Sequence, residues 1–198
     1  GFYLLRLVVE QATGRPFEQY LNETFYGPLG LTTMGFRPRE RFDLSRVTPT
    51  EYDAEWRREL VWGDVHDPGA AMLGGVAGHA GLFSNTRDLA VILQMLLNGG
   101  SYGGKQFLTP ATVESFTRAF APGRGNRRGL GFDKPALNPV IDGPSCTSAS
   151  PASFGHSGFT GTYIWADPSN GLLYVFLSNR ICPDASNQGL TKLNIRTN

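Results

Sequence analysis

The sequence predicts an α+β fold, a helical region followed by an antiparallel sheet toward its C-terminal end. Three observations carry that prediction. Apolar residues recur at helical spacing through the first part of the chain, most clearly in LAVILQMLLNGG. An Asn170-Gly171 turn separates two strand-like runs near the end. The helices come first and the strands last, without alternating.

The first helix is predicted over residues 2–12, with Phe2, Leu5, Val9 and Ala12 on a broad buried face beside Leu4 and Val8. Gly14 is its natural stop. Pro16 opens a second helix carrying Phe17, Tyr20, Leu21, Thr24 and Phe25 on one side, and YGPLGL breaks it. From Thr32 to Pro68 the period is lost, and irregular stretches of that length often form the walls or lids of sites. Trp62, Asp64 and His66 near its end are side chains of the kind that line a site, or ordinary loop residues.

Glycines at 74, 75, 78 and 81 bracket His79 and let the backbone approach either another element or a ligand closely. A helix then runs from a cap at Ser84 or Asn85 through Leu89, Ile92, Leu93, Leu96 and Leu97 to Asn98-Gly99-Gly100. Asp88 sits near its positive end. LTPATVESFTRAF predicts a further helix, with Thr109 as cap and Pro110 first. GRGNRRGLGFDKP and NPVIDGPSCTSASPAS read as loops, with a short strand around Leu130–Phe132. Thr160–Ala166 alternates as a strand, and LLYVFLSNR reads as one covered on both faces. The expectation is one incomplete domain over 1–198: a mainly helical part to about 121 with the 32–68 loop, then loops and strands over 122–198.

Composition narrows the function. At 198 residues, 40% hydrophobic and 18% charged, the chain suits a globular domain with a real core. A net charge of +1 without a basic run gives no support to nucleic-acid or membrane-surface binding. No apolar run reaches the roughly 18–20 residues of a membrane span, and no signal peptide is visible. The first residues are already helical in pattern, so the expectation is a chain cut at its start. Cys146 and Cys182 form no Cys-x-x-Cys, and their spacing leaves a disulfide or two free thiols open. His66, His79 and His156 match no ligand pattern, so neither a metal nor a cofactor is expected. GRGNRRG lacks the strand and helix of a phosphate loop and reads as a mobile loop.

SFGHSGFTGTY is different in kind. A strand starting at His156-Ser157-Gly158 presents an imidazole and a hydroxyl beside a residue with no side chain to block a ligand. The next backbone N–H, that of Phe159, is placed to meet a developing oxyanion. The alternative is a plain turn that His156 merely satisfies.

Three segments, in order, resemble the class C-like branch of the serine β-lactamase and penicillin-binding-protein superfamily, which includes D-alanyl-D-alanine peptidases and esterases. They are GFYLLRLVVEQATGRPFEQYLNETFYGPLGLTTMGF, VHDPGAAMLGGVAGHAGLFSNTRDLAVILQMLLNGG and FGHSGFTGTYIWADPSNGLLYVFLSNR. The resemblance implies a β-lactamase/transpeptidase-like fold, present here in part, and acyl-enzyme hydrolysis of a small-molecule or peptide substrate: a β-lactam, a D-alanyl peptide or an ester. His156-Ser157-Gly158 stands where that family usually has Lys-Thr-Gly. By resemblance, His156 and Ser157 bind the substrate carboxylate or assist proton transfer, Gly158 leaves room, and the Phe159 N–H is an oxyanion donor. Thr160, His79, Trp62 and His66 are the implied substrate-lining residues. A lysine there is a fixed cation, whereas the charge of a histidine varies with pH.

The family's nucleophile motif, Ser-x-x-Lys, does not occur in these residues. Its Tyr-x-Asn would fall before Gly1, and its last helix after LNIRTN. The implied partner is therefore the missing N-terminal segment of the same protein, and the implied compartment is periplasmic or extracellular. The alternatives are a non-catalytic domain that binds a cell-wall peptide, glycan or protein, and a purely structural module.

Overall fold

The computed structural model describes residues 1–138 and 143–186. Residues 139–142 of the predicted loop, and the LNIRTN segment, lie outside those residues. The described chain falls into two compact units, Gly1–Asp88 with 181–186 and Leu89–Arg180.

In the first unit, α1 spans Phe2–Thr13 and Gly14 ends it in the left-handed region, its N–H reaching the Glu10 carbonyl at 2.9 Å. The apolar face predicted to be buried is largely open: Phe2, Leu4, Leu5 and Val8 are exposed, Val9 is half-buried, and no residue of α1 is buried. The helix is held by polar and backbone groups instead. Arg6 Nη1 donates to the Val76 carbonyl at 2.6 Å, and Glu10 Oε1 accepts the Phe17 N–H at 3.0 Å. A methyl group on Gly78 would stand 2.4 Å from the Phe2 carbonyl oxygen. The glycine run around His79 thus serves a close approach of backbone to α1.

The second helix, α2, spans Phe17–Leu21 and continues into a π-helical turn at Asn22–Tyr26. Tyr26, Leu29, Leu31, Met34 and Phe36 follow as buried residues, and Val61, Val65, Ala70, Val76 and Ala77 supply further buried residues of this unit. The irregular 32–68 region holds two 3₁₀ turns, Pro38–Glu40 and Leu44–Arg46, and a small antiparallel hairpin of β1 (Tyr52–Asp53) and β2 (Glu59–Leu60). A short α3, Pro68–Met72, was not predicted; Asp67 caps it by accepting the Ala70 N–H at 2.7 Å. α4 spans Thr86–Leu97, and Asn85 Oδ1 accepts the Asp88 N–H at 2.8 Å. Asp88 does more than complement the helix dipole. Its carboxylate is 4% exposed and accepts the Thr33 N–H and hydroxyl and the Met34 N–H at 2.8, 2.6 and 3.0 Å.

In the second unit, β3 (Ser101–Tyr102) and β4 (Lys105–Gln106) form a tight hairpin, and α5 spans Pro110–Thr117 with Thr109 accepting the Thr112 N–H. A three-stranded antiparallel sheet follows, in the order β5 (Phe154–Ser157), β6 (Tyr163–Asp167), β7 (Leu172–Phe176). The strand predicted over Thr160–Ala166 therefore begins later, at Tyr163, because 158–162 is a turn. His156-Ser157 ends a strand of its own and does not start one. The predicted strand at Leu130–Phe132 is reduced to one bridge, Asp133 with Gly155. Leu172 and Tyr174 are exposed, so β7 is not covered on both faces.

Side-chain contacts fix the register of this sheet. Tyr163 and Trp165, two apart on β6, stack with centroids 5.6 Å apart, and Tyr174 meets Tyr163 edge-on from β7. A methyl on Gly155 would stand 2.1 Å from the Ile164 carbonyl oxygen, so only glycine lets β5 lie this close to β6. Asp167 closes the β6–β7 turn, accepting from the Ser150 N–H and hydroxyl at 2.9 and 2.5 Å, from the Ser169 N–H, and from the Asn170 amide. Burial pushes its carboxyl upward, but these donors outweigh burial and hold it below the usual carboxylate range.

Two expectations follow from these carboxylates. Asp88→Ala leaves the buried Met34 N–H and the half-buried Thr33 N–H without an acceptor and is expected to cost about 2–4 kcal/mol in urea unfolding. Asp167 has a depressed pKa in the folded state, so its contribution is present above the unfolded-state value near ~4 and is lost as pH falls below it. The stability gap between the natural protein and Asp167→Asn is expected to narrow from pH 7 to pH 3. A gap that stayed constant would show that ionisation of this group contributes nothing.

Candidate active site

The residues singled out around His156 are brought together at the end of β5. Pairing of β5 with β6 aligns His156 with Ile164 and Ser157 with Tyr163. On the other edge of β5, Gly155 exchanges both backbone hydrogen bonds with Asp133, at 2.7 and 3.1 Å. By the two-residue alternation of a strand, the backbone groups of Ser157 face that same edge, beyond the Asp133 bridge.

Gly158 lies just past the strand, its N–H on the Thr162 carbonyl at 2.8 Å, and its carbonyl accepts the Gly161 N–H. A methyl on Gly158 would meet the Thr162 hydroxyl at 2.2 Å, so the space beside this residue is taken up by the closing turn. Phe159 shares the parity of Ser157 but sits in the turn, exposed, with the Arg180 guanidinium 4.9 Å from its ring centroid. The carbonyls of Thr160 and Gly161 accept the Arg180 N–H and the Ser178 hydroxyl at 3.0 and 2.6 Å. The turn that follows the motif is thus braced by the chain leaving β7.

The imidazole of His156 is exposed and has two partners. Nδ1 lies 2.7 Å from the Ser157 carbonyl oxygen, and Nε2 lies 3.2 Å from Nη1 of Arg128. Arg128 also approaches Asp133 Oδ2 at 3.4 Å, while Arg127 pairs with both oxygens of that buried carboxylate at 2.9 and 3.0 Å. Arg128 was not foreseen from the sequence. It belongs to the GRGNRRG stretch, which has no periodicity, and the long-range Asp133–Gly155 bridge brings that stretch to β5.

Trp62, His66 and His79 lie in the first unit, where each has a local partner. Trp62 donates its indole N–H to the Val47 carbonyl, His66 Nε2 lies 2.7 Å from Glu51 Oε1, and His79 Nε2 lies 2.8 Å from Asp67 Oδ1. Burial pushes the Asp67 carboxyl upward, but the Ala70 N–H and His79 more than offset this and leave it low. The His79 ring also packs on Tyr3, with centroids 4.3 Å apart. Asp64 pairs with Arg39.

Cys146 and Cys182 are free thiols. Among the described residues no group of three or more His, Cys, Asp or Glu side chains could hold a metal, and no helix is long and apolar enough to cross a membrane. A Tyr-x-Asn string does occur, at Tyr20-Leu21-Asn22. It lies within a continuous helical segment, where residues two apart point to different sides.

The chain is 39% identical over 191 residues to a protein of Escherichia coli O157:H7 named "Putative D-alanyl-D-alanine carboxypeptidase", covering 90% of this chain and 43% of that protein. It thus spans less than half the length of that relative. Among solved structures, a beta-lactamase from Mycobacterium bovis superposes with a TM-score of 0.61 at 24% identity, over 96% of this chain and 57% of that one. A penicillin-binding protein homolog from Caulobacter crescentus gives a TM-score of 0.60 at 23% identity, over 89% and 50%. These two establish the β-lactamase/transpeptidase-like fold. The beta-lactamase family model matches residues 1–195, nearly the whole sequence, and the chain belongs to the beta-lactamase family.

Proposed function

We propose that this chain is part of a serine hydrolase that cleaves D-alanyl peptides through an acyl-enzyme, and that β5 with its following turn forms one wall of the site. The observation that carries the reading is the end of β5, where His156 and Ser157 stand at a strand edge beside an arginine. The name borne by the Escherichia coli relative supports a D-alanyl peptide over a simple ester.

In this reading a serine of a Ser-x-x-Lys motif, from residues outside the 198, attacks the peptide carbonyl and passes its proton to the lysine. The oxyanion is met by a backbone N–H, assigned to Phe159 on its parity with Ser157. The C–N bond then breaks, the amine leaves with a proton, and water hydrolyses the resulting serine ester. His156 and Ser157 hold the carboxylate end of the substrate, with Gly158 and Thr160 setting the shape of the turn beside it. A periplasmic or cell-surface location goes with such a substrate.

The test is covalent labelling of the intact gene product by a fluorescent penicillin or a fluorophosphonate, alongside D-alanine release from acyl-D-alanyl-D-alanine. Labelling and release are expected, and His156→Gln is expected to lower kcat/KM on the order of 10²-fold with an unchanged circular dichroism spectrum. The absence of both labelling and release would sink the hydrolase reading. If calorimetry then still showed acyl-D-alanyl-D-alanine binding, the non-catalytic reading would replace it.

A further inference from the structure

We infer that Arg128, a residue of the loop beside β5, is the fixed cation of this site, and that it holds His156 as a neutral ring protonated on Nδ1. The inference rests on the proposed site for its substrate but not for its geometry.

Hydrogen-bond chemistry decides the state of the ring. The Ser157 carbonyl can only accept, so the 2.7 Å contact places a proton on Nδ1 of His156. A guanidinium can only donate, so the 3.2 Å contact from Arg128 Nη1 requires a lone pair on Nε2. A ring that donates at Nδ1 and accepts at Nε2 is a neutral imidazole. An imidazolium here would set an N–H against the N–H of Arg128, with two positive charges in contact.

Arg128 is held in this place by its surroundings. Its N–H donates to the Asn126 side chain at 3.0 Å and its carbonyl accepts the Phe120 N–H at 2.8 Å. The next residue, Gly129, could carry no side chain, because a methyl would stand 2.4 Å from the Phe116 carbonyl oxygen. Four residues on, Asp133 pairs with Gly155 of β5, and Phe132 meets Phe154 edge-on with centroids 5.1 Å apart.

Charge bookkeeping separates the two arginines. Arg127 makes close contacts to both oxygens of Asp133, which is 7% exposed, and so neutralises it. Arg128 touches the same carboxylate only at 3.4 Å, and its side chain is half exposed. The uncompensated positive charge of the cluster therefore resides on Arg128, beside the motif histidine. A guanidinium has a forked set of N–H donors that matches a carboxylate, which points to the free carboxylate of a D-alanyl peptide as the group it takes.

Two measurements on the intact protein test this. Nitrogen-15 NMR of the imidazoles at pH 7–8, with His156→Gln to assign the signal, is expected to show His156 protonated on Nδ1 alone. Arg128→Leu is expected to move it toward the Nε2-protonated form common for free histidine. An Nε2-protonated or doubly protonated His156 in the natural protein would overturn the inference. In calorimetry, N-acetyl-D-alanyl-D-alanine is expected to bind about tenfold or more tighter than its C-terminal amide. Arg128→Gln is expected to abolish that preference and Arg128→Lys to keep part of it, with melting curves confirming that each variant folds. A preference that survived Arg128→Gln but vanished in His156→Gln would put the charge on the histidine and refute the assignment. Penicillin labelling reports on the hydrolase reading separately, so failure there leaves both of these outcomes readable.

Discussion

One pair of backbone hydrogen bonds governs the candidate site: the exchange between Asp133 and Gly155 on the free edge of β5. A strand edge offers unpaired N–H and C=O groups to any segment that reaches it. Here the segment ending at Asp133 covers the edge at one residue and stops short of Ser157. This has two effects. It leaves Ser157 beyond the bridge, and it brings the Arg127–Arg128 pair alongside His156. Without that bridge the arginines would belong to an ordinary glycine-rich loop.

The bridge depends in turn on the sheet behind it. β5 is only four residues long, and strands that short have little stability alone. It persists because β6 pairs along its whole length, with Gly155 permitting the close approach and the Tyr163, Trp165 and Tyr174 rings packing along β6 and β7. The donors gathered on Asp167 hold the other end of β6. The turn after the motif is braced separately, by Ser178 and Arg180.

What could be read from the sequence follows this hierarchy. α4 and α5 were legible, and so was the end of α1, because caps and stops act within a few residues: Asn85, Thr109 and Gly14 serve as expected. The motif itself was legible as residue types and by resemblance, but not its position at the end of a strand, because a four-residue strand is defined by its partners. Non-local groupings left no trace in the spacing. Asp88 looked like a helix-dipole residue, yet its main partners are Thr33 and Met34, more than fifty positions earlier. Arg128 meets a histidine 28 positions later. The open face of α1 marks the opposite limit: apolar periodicity identifies the helix, but the coverage of its face depends on what packs there.

Replacing a lysine by a histidine in the motif divides two jobs that one side chain would otherwise do. A lysine would combine charge and hydrogen bonding at the tip of a flexible stem, where ordering it costs entropy. Here the ring is tethered to its own strand through Ser157, and the charge comes from a loop residue fixed at its backbone on both sides. Both partners are ordered before a ligand arrives, so less freedom is lost on binding. Arginine is a permanent cation near neutral pH, so the attraction for an anion does not depend on the charge of the histidine. Because Arg128 is half exposed, that attraction is screened by salt and short in range. Discrimination then has to come from the fit of the carboxylate to the fork.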